Sequence, residues 1–292
     1  MFLRASLLAL LPALAASIQL PGYNGMKVLW QDTFTGSAGS PVNGDLWDVA
    51  NVKMNNGNNE QQTYTGSNHN LQLSGGGTVQ LVPWRDQAAG WTSARIESKA
   101  TFTPAPGKVT RVEASIRMGA APAGSKAGVW PAFWMLGDAV HHGTQWPLCG
   151  ELDVLEMRNG EGTAYGTAHC GPSAQGGVCN EPVGRGATLP VGFDSEFHTW
   201  SLEWDRRPGD WTAEKITWFR DGQVFNSLTG AGLGDQGTWS TLAHAPYYII
   251  LNVAVGGNFV SASVLAGASD GATESGYGNM MEVQYVGVWE SA

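Results

Sequence analysis

The stretch Trp146-Pro147-Leu148-Cys149-Gly150-Glu151-Leu152-Asp153-Val154-Leu155-Glu156-Met157 sets three carboxylates among Leu, Val and Leu. A β-strand turns successive side chains to opposite faces, so Glu151 and Asp153 share one face and Leu152 and Val154 the other. Strict alternation then places Leu155 beside the acids and drives Glu156 into the core, where an unpaired carboxylate is expensive. One inserted residue, a β-bulge near Val154-Leu155, resets the alternation. The expectation is a bulged strand with all three acids on one face and the aliphatics mostly on the other. An exposed strand with an acidic outer face is the competing reading.

With that bulge the Cα atoms of Glu151 and Glu156 lie about 13 Å apart, four effective steps of a strand. Two inward-leaning Glu side chains close several ångströms of this. The gap approaches the roughly 5 Å that separates the carboxyl groups of retaining glycosidases. Asp153 sits between them.

The wider chain predicts an all-β fold. It has 292 residues, with 40 Gly, 13 Trp and only 14% charged residues. Alternating runs span Met26 to Phe34, Ser93 to Phe102, Val109 to Met118 and Phe197 to Trp204, and helical periodicity is nearly absent. Ser93 to Phe102 and Val109 to Met118 both carry charges on one face. Their link, Pro104 to Gly107, predicts antiparallel neighbours with complementary charges. Asn159-Gly160 and Asp221-Gly222 are hairpin turns. Tyr247 to Val255 is nearly all apolar, as in a strand buried on both faces. These runs assemble into an antiparallel β-sandwich (jelly roll) without a second domain.

A net charge of −9 argues against nucleic acid and suits a neutral polymer. Residues 1–16 read as a secretory signal: Arg4, an apolar run from Ala5 to Ala16, and an Ala13-Leu14-Ala15 cleavage pattern. That run is too short to span a bilayer. The expected mature protein is one domain over 17–292, secreted and monomeric. Three cysteines leave at least one unpaired. Cys170 and Cys179 flank a Gly-rich loop and are the expected disulfide. A Cys149–Cys170 bridge stays open, because pairing Glu156 with Thr163 in a hairpin would also align Cys149 with Cys170. The strand returning through Thr163 to Cys170 carries His169 to the acids.

Glu151-x-Asp153-x-x-Glu156 resembles the signature of glycoside hydrolase family 16, in its laminarinase-type endo-β-1,3(4)-glucanase branch. The flanks are similar as well: Gly128-Val129-Trp130-Pro131-Ala132-Phe133-Trp134-Met135-Leu136-Gly137, Gly166-Thr167-Ala168-His169 and Leu251-Asn252-Val253-Ala254-Val255-Gly256-Gly257. The resemblance runs from about Val28 to Trp289. It implies a jelly roll with one concave sheet forming an open cleft, and endo-hydrolysis of a β-linked polysaccharide with retention. Glu151 would be the nucleophile and Glu156 the acid/base. Asp153 would hold Glu151 and raise the pKa of Glu156. Trp134, Trp146, His169, Arg95, Asn59 and Asn252 match positions near the substrate. The run Asn258-Phe259-Val260-Ser261 departs from the Trp-Pro-Gly-like turn usual in the family. No cofactor is implied. Some members carry a structural calcium, but no calcium-loop pattern is visible here. A transglycosylase, a β-1,3-galactanase and a non-catalytic glucan-binding protein are the alternatives on the same scaffold.

Overall fold

Tyr247–Val255 is a nine-residue strand with every residue buried. Its apolar run permits this, because Val129–Gly137 pairs with it along its whole length and Arg95–Ser98 covers its middle from the other side. In the computed structural model, which describes residues 18–54, 58–86, 88, 90–260 and 273–292, this strand lies inside a seven-stranded antiparallel sheet. The sheet runs Arg185–Pro190, Thr163–His169, Glu151–Met157, Val129–Gly137, Tyr247–Val255, Arg95–Ser98 and Trp47–Val49. The expected signal segment, residues 1–16, lies outside the described residues.

A second antiparallel sheet packs against the first. Its path is Gln223–Thr229, Lys215–Arg220, His198–Asp205, Val109–Met118, Met281–Ser291, Val79–Leu81 and Leu71–Leu73, and Met26–Asp32 also pairs with Met281–Ser291. A small four-stranded sheet flanks the pair. Leu152, Val154, Leu155, Phe133, Ile249 and Leu251 of the first sheet meet Val112, Ala114, Ile116, Leu202, Trp218 and Val286 of the second in one hydrophobic core. The architecture is the expected all-β sandwich.

Two expectations about pairing are corrected. Arg95–Ser98 and Val109–Met118 are not neighbours: the first pairs with Tyr247–Val255 and Trp47–Val49, the second with His198–Asp205 and Met281–Ser291. The Pro104 to Gly107 link crosses from one sheet to the other. The charges that suggested pairing are satisfied within each strand instead, Arg95 with Glu97 at 2.7 Å and Arg111 with Glu113 at 2.6 Å. Nor does most of the charged face of Val109–Met118 meet solvent: Arg111 and Glu113 are buried, and Arg117 near the strand end is partly exposed. Tyr23 and Tyr285 donate to Glu113, which is fully buried, and Arg111 also reaches Glu203 at 2.7 Å.

The second correction is the register of the acid-bearing hairpin. Glu151 faces His169, and Glu156 faces Tyr165 rather than Thr163. Cys149 therefore does not align with Cys170. It is buried and free, and Cys170 and Cys179 form the disulfide. The turn itself is as read: Asn159 and Gly160 take φ 57° and 66° at the centre of a turn closed by Glu161 N–H on the Arg158 carbonyl, within the longer connection between Met157 and Ala164. Two short helices, Gly230–Leu233 and Gln236–Ala243, were not legible beforehand. Thr229 and Asp235 cap them by accepting from Gly232 N–H and Thr238 N–H. Of the run Asn258-Phe259-Val260-Ser261, Ser261 lies with residues 262–272 outside the described residues.

Leu152 is fully buried directly beneath the acids. Leu152→Ala is expected to lower unfolding stability by about 2–5 kcal/mol, read from denaturant midpoints at unchanged slope.

Candidate active site

The bulge is present at the expected residue. Across one neighbour, Phe133 pairs with Leu155 and Trp134 with Asp153, so Val154 is the extra residue. Across the other neighbour, Asp153 pairs with Thr167 and Glu156 with Tyr165, three residues against two. Leu152, Val154 and Leu155 are all fully buried in the core. Glu151, Asp153 and Glu156 share the opposite face. The Asp153 carbonyl, at the bulge, accepts a hydrogen bond of 2.8 Å from Trp218 Nε1 of the second sheet. Irregular backbone is thereby satisfied from across the core.

Each acid has its own partner. Trp130 Nε1 donates to Glu156 Oε1 at 2.8 Å. Trp146 stands beside Glu151 and favours its charged form. Asp153 is 3% exposed, and its Oδ2 lies 3.4 Å from His169 Nε2. The other nitrogen of His169, Nδ1, bonds Glu181 Oε2 at 2.7 Å, and Glu181 Oε1 accepts from the backbone N–H of Cys170 at 2.8 Å. Glu181 is itself buried, just beyond the disulfide loop. His169 thus spans two carboxylates.

Burial sets the protonation of this cluster. It pushes Glu156 up to about 7, helped by the charge of Glu151 and opposed by His169 and by the Trp130 hydrogen bond. Burial also raises Glu151, against the pull of His169 and Trp146. Asp153 is raised well above the carboxylate range by burial and then by the like charges of Glu156 and Glu151. For His169 burial acts downward, but the Glu181 hydrogen bond and the charges of Asp153 and Glu151 outweigh it and lift the imidazole to about 10. At neutral pH an imidazolium sits among the acids.

A second network adjoins the cluster. Trp134 Nε1 donates to Asn252 Oδ1 at 2.6 Å, and Asn252 Nδ2 donates to the Tyr64 hydroxyl at 3.0 Å. Tyr64 in turn reaches Glu60 at 3.3 Å. The Arg95 guanidinium lies over the Trp134 ring, 5.0 Å from its centroid, and pairs with Glu97. Asn252 and Arg95 are 5% and 9% exposed, so both act on the site through Trp134. Asn59 bonds Asn258 at 2.7 Å on the exposed rim. Trp146 is 37% exposed, with its ring centroid 5.7 Å from that of His169.

The structure therefore gathers Glu151, Asp153, Glu156, His169 and Trp146 in one place, with Trp134, Asn252 and Arg95 in the adjoining network. Three participants had not been singled out: Trp130, Glu181 and Tyr64. Trp130 shares its face with Trp134, and that alternation was the available signal. Glu181 follows Cys179 by two residues, but only the folded disulfide loop turns it toward His169. The atypical run after Gly257 packs here too, with Phe259 5.1 Å from the Trp130 ring. Among the described residues, the one grouping of His, Cys, Asp or Glu donors close enough to share a cation is Glu151, Asp153 and His169.

The family model for the XgeA-like, catalytic GH16 domain matches residues 40–196. The chain is 31% identical over 279 residues to a glucan endo-1,3-beta-glucosidase of Cryptopygus antarcticus, covering 89% of this chain and 90% of that protein. It is 31% identical over 267 residues to glucan endo-1,3-beta-glucosidase A1 of Niallia circulans, covering 82% of this chain and 35% of that longer protein. The fold superposes on the crystal structure of an endo-1,3-beta-glucanase from Streptomyces sioyaensis with a TM-score of 0.83 and 36% identity, over 94% of this chain and 100% of the other. With the acid trio on its bulged strand, these likenesses settle the family: the chain belongs to glycoside hydrolase family 16, in its endo-1,3-β-glucanase branch.

Proposed function

We propose that the chain hydrolyses internal β-1,3 bonds of glucan, and acts also on mixed β-1,3/1,4 chains, with retention at the anomeric carbon. The observation that carries this reading is the Val154 bulge, which presents Glu151 and Glu156 on one face of the strand, as a two-carboxylate double displacement needs. The named activities of the Cryptopygus and Streptomyces proteins support the choice of polymer.

In this mechanism Glu151 attacks the anomeric carbon as a carboxylate while protonated Glu156 gives its proton to the departing glycosidic oxygen. Water then enters, Glu156 takes its proton, and the glycosyl ester on Glu151 is released. The electrostatics suit both halves. Glu156, at about 7, keeps a proton through the mildly acidic range. Forming the ester removes the charge of Glu151, one of the influences holding Glu156 up, so Glu156 becomes a weaker proton holder when it must serve as a base. Burial raises Asp153 as it raises Glu156, and like charge between the two adds to it. Burial and Glu151 raise Glu156. Asp153 serves to anchor His169, whose positive charge lowers both Glu151 and Glu156.

Trp146 and Trp134 supply aromatic faces for sugar rings, and Asn252, Arg95 and Asn59 fix the walls around them. The Ala5 to Ala16 leader and the Cys170–Cys179 bridge support export to an oxidising compartment.

Glu151→Gln and Glu156→Gln are each expected to stay folded and to lose about 10²–10⁴-fold or more in kcat/KM on laminarin-type glucan. They differ in rescue. An aryl glycoside, whose leaving group needs no protonation, restores the first step to Glu156→Gln, and added azide, a nucleophile that needs no base, then releases the glycosyl ester and restores turnover; Glu151→Gln gains from neither. Equal rescue of both would overturn the assignment, and product chains longer than the substrate would mark a transglycosylase. Proton NMR of the first-formed product should show the β-anomer.

The rate should fall on the alkaline side with an apparent pKa of about 7, as Glu156 loses its proton. Trp130→Phe removes a hydrogen bond that favours the Glu156 carboxylate, so that limb should move to higher pH. Stability follows the same proton. The folded pKa lies above the unfolded value of 4.5, so the folded state binds more protons in between and loses stability as pH rises through that window. Glu156→Gln cannot ionise. Its melting temperature should exceed that of wild type by a few degrees at pH 8, with the difference closing at pH 4.

A further inference from the structure

His169 is held in the manner of a metal ligand. Its Nδ1 is tied to Glu181 at 2.7 Å, and Glu181 is anchored by the Cys170 N–H at 2.8 Å. Nε2 is left facing the acids. In transition-metal sites the ligating histidine commonly gives its second nitrogen to a carboxylate, which fixes the ring and its tautomer. Here that outer carboxylate is already built.

The atoms that Nε2 faces are also suited to a cation. Asp153 Oδ2 is buried and has no hydrogen-bond partner, in a side chain only 3% exposed. It lies 3.4 Å from Nε2. Two donors bound about 2.0–2.1 Å from a tetrahedral ion sit about 3.3 Å apart, so this pair already has that edge length. Glu151 supplies a third donor, with all three atoms within 4.8 Å of one another. A small side-chain adjustment of Glu151 completes three protein ligands and leaves a fourth position for water.

We infer that Glu151, Asp153 and His169 form a binding site for one divalent transition cation, zinc or copper(II), whose occupancy blocks the site against substrate. One imidazole with two carboxylates suits these ions, whereas calcium and magnesium call for more oxygen donors. The cation displaces the protons held by His169 and Asp153 to solvent, takes the place of the contact between them and engages Glu151, so a sugar cannot approach that carboxylate. The inference rests on donor geometry. It concerns an inhibitory ion, not a cofactor, and stands independently of which polymer is cleaved.

The test is calorimetric titration of the full chain with zinc chloride, which needs no turnover. One site is expected, displaced by a β-1,3-gluco-oligosaccharide and stripped by EDTA. His169→Gln and Asp153→Asn should abolish it, and Glu181→Gln should weaken it roughly 10–100-fold. The exposed histidines His141 and His142, each bonded to Asp138, are the control for adventitious binding of zinc at the surface. The double substitution His141→Ala with His142→Ala should leave the oligosaccharide-sensitive site intact. Should an acid-cluster variant fail to fold, X-ray absorption of zinc-loaded wild type decides: one imidazole nitrogen among oxygens is expected. A two-imidazole shell, wild-type zinc affinity in His169→Gln, or no binding at millimolar zinc would overturn the inference.

Discussion

One inserted residue, Val154, reconciles two demands that a regular strand cannot meet together. The core needs Leu152, Val154 and Leu155, and the opposite face needs Glu151, Asp153 and Glu156. A strand of period two cannot place residues 153 and 156 on one side without an extra step. Stranding Glu156 in the core would leave a charge without a partner, far more costly than one locally disrupted ladder. The bulge is also tied into the sandwich, because Trp218 of the facing sheet donates to the Asp153 carbonyl. Packing of the two sheets and placement of the acids are therefore one structural event.

Around that strand the charges are arranged so that a proton can be kept near neutrality. Four carboxylates, counting Glu181, surround a single imidazole, and burial raises the three acids of the trio. His169 offsets part of the crowding and is lifted to about 10 by its own neighbours. Its orientation depends on Glu181, hence on the bridged loop between Cys170 and Cys179. The disulfide thus supports the site as well as a surface loop.

The tryptophans divide by task. Trp47, Trp204, Trp218, Trp239 and Trp289 fill the interior. Trp130 instead points its indole N–H at Glu156, Trp146 stands beside Glu151, and Trp134 is clamped between Asn252 and Arg95. An indole donates and cannot accept, so it favours the charged carboxylate without competing for its proton. The same use recurs far from the acids, where Trp239 donates to buried Glu214 and Trp47 to Asp32.

Local pattern alone was enough for several features. The spacing of three acids among aliphatics implied the bulge, since only one side of a strand tolerates carboxylates. The apolar run from Tyr247 to Val255 implied a doubly covered strand, and Asn159-Gly160 implied its turn. Each is a property of neighbours in sequence. Partnership between distant residues was decided only by the tertiary fold. Arg95–Ser98 and Val109–Met118 share a charge pattern yet lie in different sheets, because alternation fixes which side of a strand is buried and says nothing about which strand lies beside it. The hairpin register moved by one to two residues for the same reason, and with it the fate of Cys149. Glu181 became part of the site through a folded loop, and Gln236–Ala243 became a helix through its Asp235 cap and burial of Trp239 and Leu242. Side-chain chemistry is written residue by residue, whereas long-range contact is chosen by packing the whole chain at once.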